Sequence, residues 1–166
     1  MENYNPKVIE EKWQKVWDEK EIFSTPANNS KNQKYYILEM FPYPSGNIHM
    51  GHVRNYTLGD VLARFYISNG YDVLHPMGWD SFGMPAENAA IENKVSPKNW
   101  TIKNINNMRA QLKKMGFAID WKKEISTCSS EYYKHQQKFI IDFFNKNLAY
   151  KKDSTVNWDP VAKPVL

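Results

Sequence analysis

The chain has 166 residues and a formal net charge of +4, a length typical of one domain and a charge that suits either a polyanionic partner or a solvated surface. Its single cysteine, Cys128, excludes intrachain disulfides and cysteine-based zinc clusters. The N-terminus lacks the apolar core of a secretory signal, and no stretch approaches the roughly 18 apolar residues of a membrane span, so we expect a soluble, cytoplasmic protein.

The first half of the chain predicts an amino-terminal helix followed by one βαβ unit. Asn5-Pro6 is typical of a helix start, and Asn69-Gly70 is typical of a helix end. Two strands joined by a helix are usually parallel, with a right-handed connection. The predicted elements are a helix over residues 6–20, a loop over 24–34, a strand over 35–41, a helix from 49–52 to 69, and a strand over 71–79.

The second half predicts mainly helices. Ser129 and Ser130 are suited to cap a long helix that continues to about residue 148. The other predicted elements are helices near 85–94 and 97–115, and a strand in "AYKKDSTVNWDP" (149–160). The predicted class is α/β with parallel strands plus additional helices, divided into an amino-terminal helix and loop (1–34) and a larger α/β domain (35–166).

One segment, "FPYPSGNIHMGH" (41–52), carries the densest chemistry. Two of the four histidines of the chain, His49 and His52, lie here, three residues apart and thus on the same side of a helical turn. The segment follows a predicted strand and opens a helix, where unpaired N–H groups and a partial positive charge suit phosphate. Gly51 lacks a Cβ and admits a flat ligand or phosphate chain close to the backbone. The segment therefore predicts a nucleotide phosphate site.

Several residues have competing interpretations. The His-x-Gly-His tetrapeptide alone also fits two solvent-facing histidines at a helix end. Asp80, in a glycine-bounded loop after the second strand, suits both an anchor for a substrate ammonium and a cap of the next helix. The remaining residues are interpreted structurally: Glu87 as a first-turn helix acid, His75 as a strand-end packing residue, His135 as a helix-surface residue, Trp79, Trp100 and Trp121 as core residues, and the lysine pairs 113–114 and 122–123 as solvated charges, with RNA phosphate as their alternative.

Taken together, these stretches resemble a known family. "EMFPYPSGNIHMGHVRNYTLGDVLARF" (39–65) and "GYDVLHPMGWDSFGMPAENAAI" (70–91) closely resemble the amino-terminal part of bacterial-type leucyl-tRNA synthetases, which are class I enzymes. "LKKMGFAIDW" and "VNWDP" continue the match in the same order. Valyl and isoleucyl relatives usually carry three prolines before their His-x-Gly-His, whereas residues 40–44 here are the leucyl version, Met-Phe-Pro-Tyr-Pro.

The resemblance implies the first half of a class I Rossmann-like catalytic domain and a reaction. Leucine and ATP, with Mg²⁺, form leucyl-adenylate, and the leucyl group then passes to tRNA(Leu). His49 and His52 match the catalytic "HIGH" signature and would stabilise charge at the α-phosphorus. The implied ATP-binding residues are Pro42, His49, Gly51, His52 and Asn55; the implied leucine-binding residues are Met40, Phe41, Tyr43 and Asp80.

The sequence also departs from the family pattern. The second signature, a Lys-Met-Ser-Lys-Ser loop that closes on the triphosphate, does not occur in this sequence. Asp159 replaces the cysteine with which many relatives begin a zinc module, so no zinc is expected in this segment. The resemblance thus implies an amino-terminal fragment that stops before the insertion, editing and tRNA-binding domains and is slow or inactive alone.

Two other functions remain open from sequence. The chain also fits a non-catalytic nucleotide- or tRNA-binding module derived from such a synthetase. A stand-alone nucleotidyltransferase is a further alternative, but it needs a second phosphate clamp for which the sequence offers no candidate.

Overall fold

The structure, a computed structural model, describes residues 4–27 and 30–161. It divides into two compact units, Met1–Ser129 and Ser130–Leu166. Among the described residues, the first unit contains the strands and four helices, and the second contains one helix and the segment that follows it to residue 161. The division predicted at residue 34 stays a prediction.

Most of the predicted helices and the βαβ unit are confirmed, with ends that differ by a few residues. The elements in chain order are α1 Pro6–Glu19, β1 Lys34–Tyr36, α2 Met50–Ser68, β2 Asp72–Leu74, β3 Pro76–Trp79, α3 Met84–Glu92, α4 Pro97–Lys114, β4 Asp120–Ser126 and α5 Ser130–Asn145. Pro6 stands at the first position of α1, and Asn69 caps the end of α2, as predicted. The fold class, mixed α/β with parallel strand pairs, is also as predicted.

The strands pair in parallel around a central segment. β1 pairs with β2, with Tyr35 opposite Val73, and β3 pairs with β4, with Trp79 opposite Ser126. Only His75 separates β2 from β3, so one nearly continuous stretch is paired with β1 along its first part and with β4 along its second. Both pairs are parallel, and the carboxyl ends of paired strands therefore lie at the same edge, where ligands bind in such folds.

The core consists of two clusters of buried side chains. One cluster joins α2, β3, α4 and the residues before β4: Tyr56, Met77, Trp79, Ile105, Met108, Leu112, Phe117 and Ile119. A second cluster joins Ile37, Ala63, Val73 and Ala118. The buried positions of α4 recur every three or four residues, as a helix with one apolar face requires. These contacts fix α2 and α4 against the strands and thereby fix the start of α2.

Two predictions of strands need correction, and one observed strand was not predicted. The strand predicted over 35–41 ends at Tyr36, and the Ile37 N–H makes one further bond, to the Leu74 carbonyl at 2.9 Å. The ladder stops there because from Pro76 onward the partner stretch pairs with β4. Residues 149–157 form no strand, and most of them are polar and exposed. β4 was not predicted, because its lysines break the apolar alternation by which a strand is recognised.

Most of the structural interpretations hold. Trp79 and His75 are buried, whereas Trp100 and Trp121 are half-buried. His135 is exposed on α5, and Glu87 lies in the first turn of α3. The lysines of both pairs are exposed, as expected for solvated charges.

Candidate functional site

The two histidines of the tetrapeptide close the first turn of α2. His49 is the N-cap residue, and its Nδ1 accepts a hydrogen bond from the Gly51 N–H at 3.1 Å. In return, the His49 N–H donates to Nδ1 of His52 at 3.2 Å. This reciprocal arrangement is a capping box built from two imidazoles in place of the usual hydroxyl and carboxylate. Two backbone donors that the sequence suggested as free for phosphate are therefore already bonded.

The same contacts fix which ring nitrogens carry hydrogen. A neutral imidazole that accepts at Nδ1 carries its proton on Nε2. The two rings are stacked with centroids 3.8 Å apart, which confirms that they lie on the same side. Desolvation by burial, and then the neighbouring His49, lower the pKa of His52. His52 is therefore a neutral ring at pH 7 with an Nε2–H donor left for a ligand.

Gly51 is open for a reason that the sequence did not reveal. A Cβ at this position would lie 2.9 Å from Cε1 and 3.0 Å from Nδ1 of His49. The glycine thus makes room for the ring that caps the helix, and in this structure that ring covers its open side. The expected approach of a ligand to the Gly51 backbone stays a prediction.

The segment before the histidines is fastened to α2 and β3. The Tyr56 hydroxyl donates to the Met40 carbonyl at 3.0 Å. Burial, followed by the nearby Glu39 carboxylate, raises the pKa of Tyr56, while a hydrogen bond with Asn55 lowers it. The hydroxyl therefore keeps its proton and remains a donor. The Phe41 ring lies over Gly78, where an added Cβ would come within 2.3 Å of it.

Asp80 joins the same site through its backbone. It follows β3 directly, and its N–H donates to the Pro42 carbonyl at 3.1 Å. The next residue, Ser81, is buried, and its hydroxyl contacts the Ser126 hydroxyl at 2.7 Å and accepts from the Cys128 N–H at 3.1 Å. The loop that carries Asp80 is thus fixed to the segment after β1 on one side and to the end of β4 on the other.

The predicted site residues therefore gather at one edge of the strands. The His52 ring lies parallel to the Tyr56 ring, with centroids 6.2 Å apart, and the Tyr56 hydroxyl donates to the Met40 carbonyl. The Pro42 carbonyl accepts from the Asp80 N–H. The side chains differ in exposure: Pro42 is buried, Phe41, His52, Asn55 and Asp80 are half-buried, and Met40, Tyr43, His49 and Gly51 are exposed. Met40 is 83% and Tyr43 60% exposed, so these two side chains form an open surface and not a closed pocket.

Two groups of neighbours were missed from sequence. Glu39 and His75 form a buried polar contact beneath the Met40 segment. On the other side, two amides of α4 hold the loop before His49: Asn107 donates to the Gly46 carbonyl at 3.0 Å, and Gln111 accepts from the Ile48 N–H at 2.9 Å. The only sequence signal was Glu39 itself, a charge within a buried apolar run.

Two further features lie outside this site. A cavity of about 450 Å³ is lined by α1 and the segment just after it, the end of α4 and the start of β4. Its lining includes Trp17, Phe23, Lys113 and Trp121 and none of the predicted site residues. Over the described ranges, no group of three or more acidic, histidine or cysteine side chains is arranged to hold a metal ion. None of the described helices is long and apolar enough to cross a membrane.

Comparison with known proteins agrees with the geometry. Residues 12–166 match the profile of the family described as tRNA synthetases class I (I, L, M and V). The chain is 61% identical over 158 residues to a leucine–tRNA ligase of Rickettsia bellii, a match that covers 95% of this chain and 19% of that protein. It is 61% identical over 165 residues to a leucine–tRNA ligase of Brucella anthropi, covering 99% of this chain and 19% of that protein.

A solved structure is similar over nearly the whole chain. It is the LeuRS of Agrobacterium radiobacter in a ternary complex with tRNA and LeuAMS, with a TM-score of 0.90 and 48% sequence identity. The match covers 99% of this chain and 21% of that one. The chain therefore has the fold of the corresponding part of that enzyme, and it spans about one fifth of the length of the proteins it matches.

Proposed function

The chain belongs to the class I tRNA synthetases, and we propose that the protein carrying it is a leucine–tRNA ligase. In the proposed reaction, leucine and ATP form leucyl-adenylate and release pyrophosphate, and the leucyl group then passes to tRNA(Leu) with release of AMP. The observation that supports it most is the two-imidazole cap at the start of α2, the helix whose Tyr56 hydroxyl donates to the Met40 carbonyl. Two residues further on, the Pro42 carbonyl accepts from the Asp80 N–H. These contacts support a site in which donors suited to phosphate and an acid suited to an ammonium group serve the same pair of ligands.

The two histidines are proposed to bind the triphosphate and to stabilise the transition state. Each ring accepts at Nδ1 and so presents an Nε2–H, a neutral donor that needs no proton transfer to work. The attack of the leucine carboxylate on the α-phosphorus places added negative charge on the phosphoryl oxygens. Donors aimed at this charge lower the barrier because they are already oriented. Mg²⁺ is proposed to arrive with ATP, and Pro42, Gly51 and Asn55 to complete the nucleotide site.

The leucine site is proposed to lie on the Met40–Tyr43 segment. The Asp80 carboxylate would pair with the α-ammonium, and the side chains of Met40, Phe41 and Tyr43 would contact the aliphatic group. The buried anchoring of this segment supports the proposal, because Phe41 lies against Gly78 and Pro42 is bonded to the Asp80 N–H. Met40 and Tyr43 are exposed in this structure, and bound leucine together with other parts of the complete protein would cover them.

Amino-acid-dependent ATP–pyrophosphate exchange by the complete protein tests the assignment. We expect leucine to support exchange and isoleucine and methionine to support it far less. Exchange that prefers isoleucine or methionine would refute the assignment. The 166-residue chain alone is expected to be slow or inactive, because the sequence of this segment contains no lysine loop for the triphosphate.

The two halves of the site are separated by calorimetry. His52→Ala is expected to weaken ATP binding and to lower the exchange rate about 10²–10³-fold. Asp80→Ala is expected to abolish leucine binding while ATP still binds. His135→Ala, on the exposed surface of α5, serves as the control and should change neither. Salt-sensitive tRNA binding without binding of either small ligand would instead indicate a non-catalytic module.

The remaining partners follow from the same proposal. tRNA(Leu) is the proposed acceptor, and a cytoplasmic location is proposed because protein synthesis takes place there. Zinc is not proposed for this segment, since Asp159 stands where a cysteine ligand would begin the module.

A further inference from the structure

A buried polar pair lies directly beneath the proposed leucine segment. Nε2 of His75 is 2.8 Å from Oε2 of Glu39, and the two side chains are 2% and 8% exposed. The other ring nitrogen, Nδ1, is 2.7 Å from the Ala118 carbonyl oxygen. His75 is the residue between β2 and β3, so this contact ties the segment after β1 to the junction of the central stretch.

Counting hydrogens shows that the contact contains a proton. The Ala118 carbonyl only accepts, so Nδ1 of His75 must donate and carries a hydrogen. A neutral His75 then presents a bare Nε2 to Glu39, and an ionised Glu39 also only accepts. Two acceptors 2.8 Å apart repel each other unless a hydrogen lies between them. One further proton is therefore held between Nε2 and Oε2, and the pair is neutral as a whole.

The second carboxyl oxygen of Glu39, Oε1, lies against Gly59 of α2. A Cβ at Gly59 would lie 1.7 Å from Oε1, so the carboxyl group occupies the space that a side chain at this position would take. Oε1 is buried and has no hydrogen-bond partner among the described residues. The hydrogen bond to His75 is thus the contact that compensates for burying this carboxyl group.

We propose that Glu39 and His75 are positioning residues for leucine recognition, a role that rests on the proposed function above. Glu39 immediately precedes Met40, whose carbonyl accepts from Tyr56, and Phe41, whose ring lies on Gly78. Holding Glu39 at the strand junction fixes the start of this segment, and with it the wall that contacts the leucine side chain. Neither residue touches the substrate.

Two variants of nearly equal size separate the hydrogen bond from simple packing. Glu39→Gln keeps the contact, because its amide N–H donates to the bare Nε2 of neutral His75 without an extra proton. We expect its leucine KM to stay within about threefold of the unmodified protein. Glu39→Met has similar length and no hydrogen to donate. We expect it to raise the leucine KM about tenfold or more and leave the ATP KM within about twofold. Both are measured by ATP–pyrophosphate exchange with the complete protein.

A third variant keeps the test decisive if the methionine protein does not fold. Glu39→Asp retains the carboxylate but withdraws it from Nε2 by one methylene, and it is expected to raise the leucine KM selectively as well. Glu92→Gln, at the exposed end of α3, is the control and should alter neither KM.

The outcomes separate cleanly. An equal rise of the leucine and ATP KM values in Glu39→Met and Glu39→Asp, or no rise in either, would overturn the positioning role. So would a Glu39→Gln protein as impaired as Glu39→Met. Failure of the proposed function itself would appear earlier, as absence of leucine-dependent exchange by the unmodified protein.

Discussion

The segment from Ile37 to His49 is held in two different ways. Its first part, 37–42, is anchored by buried contacts, namely Glu39 with His75, the Met40 carbonyl with Tyr56, and the Pro42 carbonyl with the Asp80 N–H. Its last part, 46–48, is held by the amides of Asn107 and Gln111, which reach across from the surface of α4. The side chains of Glu39, His75 and Tyr56 are almost fully buried, whereas Asn107 is exposed and Gln111 half-buried. Polar contacts of buried side chains are costly to break, whereas contacts nearer the surface exchange more readily with water.

This contrast matches the two ligands proposed for the site. A small aliphatic group is discriminated by shape, which requires walls that do not move. A phosphate chain is bound by donors and charge, which tolerate small movements of the loop that carries them. We therefore expect substitutions of residues that anchor the first part to change the leucine KM selectively. Substitutions of the two α4 amides should instead change how the protein uses ATP.

The largest effect is expected at Gly59. Gly59→Ala places a methyl group where the Glu39 carboxyl group lies, so the carboxyl group must leave its bond to His75. We expect the free energy of unfolding to fall by about 3 kcal/mol, measured by urea denaturation. Leu58→Ala, at an exposed position of the same helix, should change it by less than about 0.5 kcal/mol. Equal stability of the two variants would show that the packing at Gly59 is not restrictive.

The next largest effect is expected at Gly78. Gly78→Ala puts a Cβ within 2.3 Å of the Phe41 ring, so this ring, which is assigned to the proposed leucine site, must move. We expect the leucine KM to rise at least about tenfold in the exchange assay, with the ATP KM within about twofold. A variant that loses ATP and leucine use in parallel would contradict the assignment of Phe41 to leucine.

A smaller effect, on the exchange rate and not on the leucine KM, is expected at α4. Gln111→Leu leaves the Ile48 N–H and the Asn47 side chain without this partner, which loosens the loop before His49. We expect the exchange rate to fall about fivefold at saturating leucine, with the leucine KM unchanged within about twofold. Lys103→Ala, an exposed position of the same helix, is the control. A selective rise of the leucine KM would reverse the comparison.

The smallest effect is a pH dependence of stability. The pKa of His52 is lowered from 6.5 in the folded chain, so protons bind more readily to the unfolded chain. Stability from the neutral ring is then complete above pH 6.5 and is lost as the pH falls below it through the folded pKa. We expect the stability advantage of the unmodified protein over His52→Ala to shrink below that pH in urea denaturation. An advantage that grows on acidification would mean that the charged ring is the stabilising form.

Sequence patterns predicted the features that depend on local periodicity and on residues that start or end a helix. The βαβ unit, the ends of α2 and the pairing of His49 with His52 follow from helical spacing, from Asn69-Gly70 and from the position of the motif after a strand. β4 was not predicted because it pairs with the buried strand β3 and can form without a regular alternation of apolar and polar residues of its own. Within the strand predicted over 149–160, residues 149–157 form no strand and Trp158 forms an isolated bridge. β-branched and aromatic residues alone do not build a ladder.

The contacts that surround the site were beyond sequence reasoning. Gln111 and Asn107 lie about 60 residues from the loop they hold, and nothing in the sequence around an amide side chain on a helix indicates its partner. Glu39 was visible as a charge in an apolar run, but its compensation by His75 depends on which strands become neighbours. Gly51 carried the correct signal, a need for space, whereas the group that fills that space is the adjacent ring.

The reciprocal cap at the start of α2 has a consequence for how the site fills. Each imidazole is at once a lid on a backbone amide and a donor toward solvent. Turning either ring to meet an incoming oxygen uncovers the amide hydrogen beneath it, so the count of hydrogens facing the helix end increases by one with each ring that turns. An anion can thus gain further hydrogen bonds as it binds, and the first turn of α2 loses its two cap bonds in exchange.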